Sequence, residues 1–114
     1  MSVIAPFPTG RDRRAIATFD RRELIRILDL YGRMVAAGHW RDYAIRISPD
    51  AAVFAAYRRA AEHPEIRIEK RPELRLKQGA FALVGEHGLV LKRGHDLGGV
   101  LAPLERRLMR LVGE

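Results

Sequence analysis

The spacing of apolar residues predicts a helix near the start of the chain. Apolar side chains recur at helical intervals from Leu24 to Val35, with arginines on the opposite side. Asp20 is a favourable N-cap, and Glu23 three residues later completes a capping box. Gly38 follows the last apolar positions and predicts the end of the helix.

Alternating apolar and polar residues predict β-strands in the middle of the chain. The alternation is clear in residues 42–47 and 65–69. Residues 51–58 and 80–84 are almost wholly apolar, and residues 88–92 complete a second hairpin. Turn chemistry at Ser48-Pro49-Asp50 and around Gly88 separates these segments. Short turns between consecutive strands favour a five-stranded, mainly antiparallel meander.

A second helix is predicted at the carboxyl end. Asp96 can cap it, and leucines and valines from Leu97 to Leu111 form one apolar face. Pro103 predicts either a kink or a split into two segments. The whole pattern predicts an α+β fold with an N-terminal and a C-terminal helix packed on the sheet. We expect a flexible basic arm over residues 1–15 and a single domain over residues 16–114.

Two of the predicted strands are apolar on both faces. Ala51–Tyr57 and Ala80–Val84 lack the alternation expected when only one face of an antiparallel sheet is covered. Two explanations stay open. Either the two helices cover opposite faces, or a partner, such as a second copy of the chain, covers one of them.

The charge balance points to an anionic partner. The net charge is +7, and 18 of the 21 basic residues are arginine. A GC-rich coding sequence would also produce this arginine bias. From Tyr57 to Lys77 the sequence has seven basic and four acidic residues.

We expect a noncatalytic binding module, with nucleic acid the leading partner and an acidic protein the next. A protein-interaction or homodimerisation module is the alternative. The candidate nucleic-acid-binding residues are Arg58, Arg59, Arg67, Lys70, Lys92 and Arg93.

Residues for catalysis or metal binding are scarce. The chain has no cysteine, its only serines are Ser2 and Ser48, and no two of its four histidines are three or four positions apart. We therefore expect no enzyme activity, no metal and no cofactor. No apolar run is long enough to span a membrane, and the first residues do not form a secretory signal. These features predict a cytoplasmic protein.

Several segments resemble a family of small bacterial proteins of unknown function. The likeness covers roughly residues 16–112 and is carried by residues 19–43, Tyr57-Arg58-Arg59-Ala60, Ile66–Lys70 and Leu91–Leu97. The resemblance implies no activity, because none is established for that family.

Overall fold

The computed structural model describes residues 17–59 and 63–113 of the chain. The predicted arm over residues 1–15 lies outside this part. The elements follow the order α1 (Arg21–Ala36), β1 (Asp42–Ile47), β2 (Ala52–Tyr57), β3 (Ile66–Lys70), β4 (Phe81–Val84), β5 (Val90–Gly94) and α2 (Leu97–Leu111). A single 3-10 turn, which the sequence did not predict, spans Pro72–Leu74. No helix in these two ranges has the length and apolar character needed to cross a membrane.

Helix α1 begins at the capping box that the sequence predicts. The Asp20 carboxylate accepts a hydrogen bond from the Glu23 backbone at 2.8 Å, and the Glu23 carboxylate accepts one from the Asp20 backbone at 2.8 Å. These bonds satisfy amide groups that have no partner within the helix. After the helix, Gly38 adopts a φ of 78°, a conformation that glycine reaches without steric cost.

The five strands form a sheet in the order β1-β2-β3-β4-β5, with every neighbouring pair antiparallel. The predicted meander and the α+β fold class are confirmed. Strand β5 starts two residues later than predicted, at Val90, and a register shift interrupts its pairing with β4 between Leu83 and Val84.

Both helices pack on the same face of the sheet. The Tyr31 ring on α1 lies 6.0 Å from the Phe54 ring on β2, between ring centroids. Leu83 shares the side of Phe54 in the strand register and belongs to the same buried cluster as Leu101 and Leu104 of α2. The explanation in which the helices cover opposite faces is therefore wrong. We call the second side of the sheet the open face, since no described helix or strand lies over it.

Helix α2 continues through Pro103 as one element, so the predicted alternative of two segments is wrong. An interior proline removes one backbone hydrogen bond and costs about 3 kcal/mol. Burial of the flanking Leu101 and Leu104, each at most 1% exposed, opposes this cost. A fully buried leucine contributes about 1.5–3 kcal/mol, so the apolar face outweighs the local penalty.

Candidate functional site

The open face combines small apolar residues with arginines. Side chains alternate along each strand, and the regular part of the register assigns eleven strand residues to this side. They are Asp42, Ala44, Arg46, Val53, Ala55, Tyr57, Arg67, Glu69, Ala82, Val84 and Arg93.

One row of the register crosses all five strands and carries charge at its two ends and its centre. Arg46 on β1 pairs with Val53, Val53 with Glu69, Glu69 with Ala82, and Ala82 with Arg93 on β5. With strands about 4.8 Å apart, this row spans about 19 Å. Charged side chains therefore stand on alternate strands, separated by small apolar ones.

Glu69 at the centre of the row holds two further arginines. Its carboxylate lies 3.3 Å from Nε of Arg67 and 3.5 Å from Nε of Arg71. The Glu69 side chain is 12% exposed, against 33% for Arg67 and 40% for Arg71. Because contact is made through Nε, the outer nitrogens of both guanidinium groups remain available to a ligand.

The arginines at the two ends of the row have no acidic partner among the described residues. Arg46 is exposed and forms no ion pair within residues 17–59 and 63–113. Arg93 is half-buried, and its Nη1 atom is shielded from solvent without a hydrogen-bond partner. A shielded guanidinium nitrogen that donates to nothing is costly.

A groove of about 370 Å³ runs along the open face between β1 and β3. Val53 and Ala55 on β2 and Ala44 on β1 supply its apolar floor. Its boundary includes Tyr57, Pro64, Arg46 and Arg67. The groove therefore offers apolar surface within reach of two guanidinium groups.

The structure brings together only some of the residues proposed from the sequence. Arg67 and Arg93 lie on the open face, whereas Lys70 and Lys92 have the opposite register parity and lie on the helix side. Arg58 follows the end of β2 beside Glu65, and exposed Arg59 lies next to it. The six residues do not form one patch.

Lys70 on β3 connects the start of α1 to the sheet. Its Nζ donates to the Glu23 carboxylate at 2.7 Å and to the Thr18 carbonyl at 3.0 Å. The same atom lies 5.9 Å from the centre of the Phe81 ring. These contacts give Lys70 a structural role at the start of α1.

Arg46 and Arg71 are not among the six candidate residues that the sequence predicts. The alternation in β1 places Arg46 opposite the apolar residues of that strand, a signal that was available in the sequence. Arg71 lies after β3, and only its contact with Glu69 reveals that it belongs to the open face. The sequence favoured basic residues that are close along the chain, although the sheet gathers residues from alternate strands.

A second polar cluster, centred on Glu65, lies where the end of the sheet meets α2. One Glu65 oxygen accepts hydrogen bonds from Nε1 of Trp40 at 2.7 Å and from Nη1 of Arg107 at 3.0 Å. Nε2 of His39 lies 3.2 Å from the carboxylate and 3.1 Å from Nη1 of Arg107. That nitrogen can donate to Glu65 or accept from Arg107, but it cannot do both at once. Arg58 lies at the rim, 3.9 Å from the carboxylate.

The Glu65 cluster joins three parts of the fold. Trp40, 1% exposed, follows α1, Glu65 precedes β3, and Arg107 belongs to α2. Within the described ranges, no group of three histidine or acidic side chains is arranged to hold a metal ion. The hydrogen bonds of this cluster tie α1, the sheet and α2 together.

Comparison with known proteins identifies a family for this chain but no activity. A family model described as "Protein of unknown function (DUF2794)" matches residues 17–101. Neither a curated protein nor a solved structure matches the chain.

Proposed function

The chain belongs to the DUF2794 family of proteins of unknown function, and we propose that its open face binds nucleic acid without catalysis. The interface consists of Arg46, Arg67, Arg71 and Arg93. This set replaces the six residues that the sequence suggested. The observation that carries the proposal is the set of guanidinium groups that Arg46 on β1, Arg67 on β3 and Arg93 on β5 place on one side of the sheet.

A linear polyanion fits this arrangement better than a compact acid does. From Arg46 to Arg93 these groups span about 19 Å across the strands, so one small anion could contact only part of the set. A phosphate backbone supplies negative charge repeatedly along a line. Four arginines share this side with two carboxylates, Glu69 and Asp42, leaving it net positive.

The same charges disfavour a face-to-face homodimer, the alternative suggested by the apolar strands. A two-fold dimer sets the same patch of one subunit against that of the other. Arg46 and Arg93, which have no acidic partner within residues 17–59 and 63–113, would then face a second copy of a net positive surface. An anionic partner covers the face without this repulsion. We further propose that this binding takes place in the cytoplasm.

The test is the salt dependence of binding to a fluorescent single-stranded oligonucleotide, followed by anisotropy. Log K should fall linearly with log salt. Arg46→Gln and Arg93→Gln should each reduce the slope by about 0.7, the value for one lost phosphate contact on a single strand. Lys92→Gln is the matched control, since Lys92 neighbours Arg93 on β5 but lies on the other side. Absence of binding at low salt, or equal effects of Lys92→Gln and Arg93→Gln, would refute the proposal.

A further inference from the structure

The groove on the open face has an apolar floor that phosphate binding alone does not explain. Val53, Ala55 and Ala44 lie where a purely electrostatic surface would carry polar side chains. Ala44 is exposed and Val53 is half-buried, whereas Ala55 is only 8% exposed, and no described helix covers these three residues. Water contacting this floor gains no hydrogen bonds from it, so a flat apolar ligand group is favoured there.

Two arginines stand on opposite sides of this floor. Arg46 on β1 is the register partner of Val53, and Arg67 on β3 is the register partner of Ala55. With β2 between them, their strands are about 10 Å apart. The groove thus offers an apolar centre with a positive group on either side, and Tyr57 contributes an aromatic ring at its boundary.

We propose that this groove takes one unpaired nucleobase, whose flanking phosphates contact Arg46 and Arg67. The proposal rests on nucleic-acid binding by the open face and makes it selective for single strands. In a duplex the ring faces are stacked on neighbouring base pairs and cannot lie against a protein floor. A free base has an exposed ring face that packs on aromatic side chains regardless of sequence.

The groove also explains why a free base is preferred to an acidic peptide. Aspartate and glutamate side chains end in the charge itself and have no flat apolar group to cover Val53 and Ala55. A nucleotide carries a ring and a phosphate on one unit, which matches an apolar floor beside a guanidinium group. An acidic peptide is therefore an outcome that the experiment must separate from nucleic acid.

The experiment compares four ligands at one salt concentration with the intact chain. They are a single-stranded oligonucleotide, the same strand made abasic, the matching duplex and poly-glutamate of equal charge. We expect the single strand to bind at least about fivefold more tightly than the abasic strand, the lower end of what one stacked base contributes. The duplex should lack this advantage, and poly-glutamate should bind no better than the abasic strand.

Two variants assign the preference to the groove. Ala55→Leu fills the floor, and Tyr57→Ala removes the aromatic ring; each should reduce the preference for the single strand over the abasic strand. Binding of the abasic strand should stay unchanged, which shows within each variant that the fold and the arginines are intact. Tyr57→Phe keeps the ring and should retain the preference.

The outcomes separate this inference from the proposed function. If the single, abasic and duplex ligands bind equally, and the salt series on the single strand is steep, the open face binds phosphates and the groove proposal is wrong. If poly-glutamate binds most tightly, the partner is an acidic protein and both proposals are wrong. If nothing binds at low salt, both also fail.

Discussion

Removing the Glu65 carboxylate should destabilise the protein by an amount that the geometry sets. In Glu65→Ala, Nε1 of Trp40 loses its acceptor at 2.7 Å, and Trp40 is 1% exposed, so water does not readily replace it. An unsatisfied buried donor costs about 1–3 kcal/mol. The ion pair with Arg107 is about a third exposed on the arginine side and contributes at most about 1 kcal/mol. We expect a loss of about 2–3 kcal/mol in the free energy of unfolding.

Glu65→Gln tests which of the two losses is larger. Glutamine keeps an amide oxygen that can accept from Trp40 but removes the charge that attracts Arg107. This variant should therefore lose about 1 kcal/mol of unfolding free energy, at most about half of the loss in Glu65→Ala. Glu86→Ala, which removes an exposed carboxylate in the turn before β5, is the control and should change stability by less than about 0.5 kcal/mol.

The assay is urea unfolding followed by circular dichroism, with the fluorescence of Trp40, the only tryptophan, as a second probe. The two probes should report the same midpoint if unfolding is two-state. Equal losses for Glu65→Ala and Glu65→Gln would show that the hydrogen bond to Trp40 contributes nothing beyond the charge. A loss below about 0.5 kcal/mol in Glu65→Ala would refute the reasoning.

Three further predictions concern the fold. Asp20→Ala removes the N-cap of α1 and should cost about 1 kcal/mol in urea unfolding, and an unchanged midpoint would contradict the capping role. Gly79→Ala should cost about 2 kcal/mol or more because φ is 104° and a Cβ would overlap the Gly94 carbonyl, whereas Gly88→Ala, at φ 84° in open space, should cost less in the same assay. Burial raises the pKa of Tyr31, so its contribution to stability is present below the ordinary tyrosine pKa and lost as the pH rises beyond it. In an absorbance titration of the tyrosines, Tyr31→Phe should remove an ionisation step that lies above the ordinary tyrosine pKa. An unaltered titration curve would contradict the raised pKa of Tyr31.

The capping box at Asp20, the two-residue alternation of the strands and their short connections predicted the architecture. These signals are local, and each is complete within a few residues. The same kind of local pattern misled at Pro103. The penalty for an interior proline is read from the sequence, but the burial of Leu101 and Leu104 that outweighs it depends on the sheet beneath α2.

The candidate site was harder to predict because its members come from strands that are distant along the chain. Arg46 and Arg93 share one row only through four successive register pairs. The sequence predicts the same role for Lys70 and Arg67, because both are basic residues of β3. Lys70 lies three positions after Arg67 and therefore on the helix side, where its Nζ donates a hydrogen bond to Glu23. The sequence does not predict the role of Glu65, because its partners Trp40 and Arg107 are 25 and 42 residues away.

The most direct test of the proposed interface is an NMR titration that follows the arginine Nε–H signals as a single-stranded oligonucleotide is added at low salt. The signals of Arg46, Arg67 and Arg93 should shift or broaden together, while exposed Arg106 and Arg110 on α2 should stay in place. Shifts that are largest on α2, or equal on both sides of the molecule, would contradict binding at the open face.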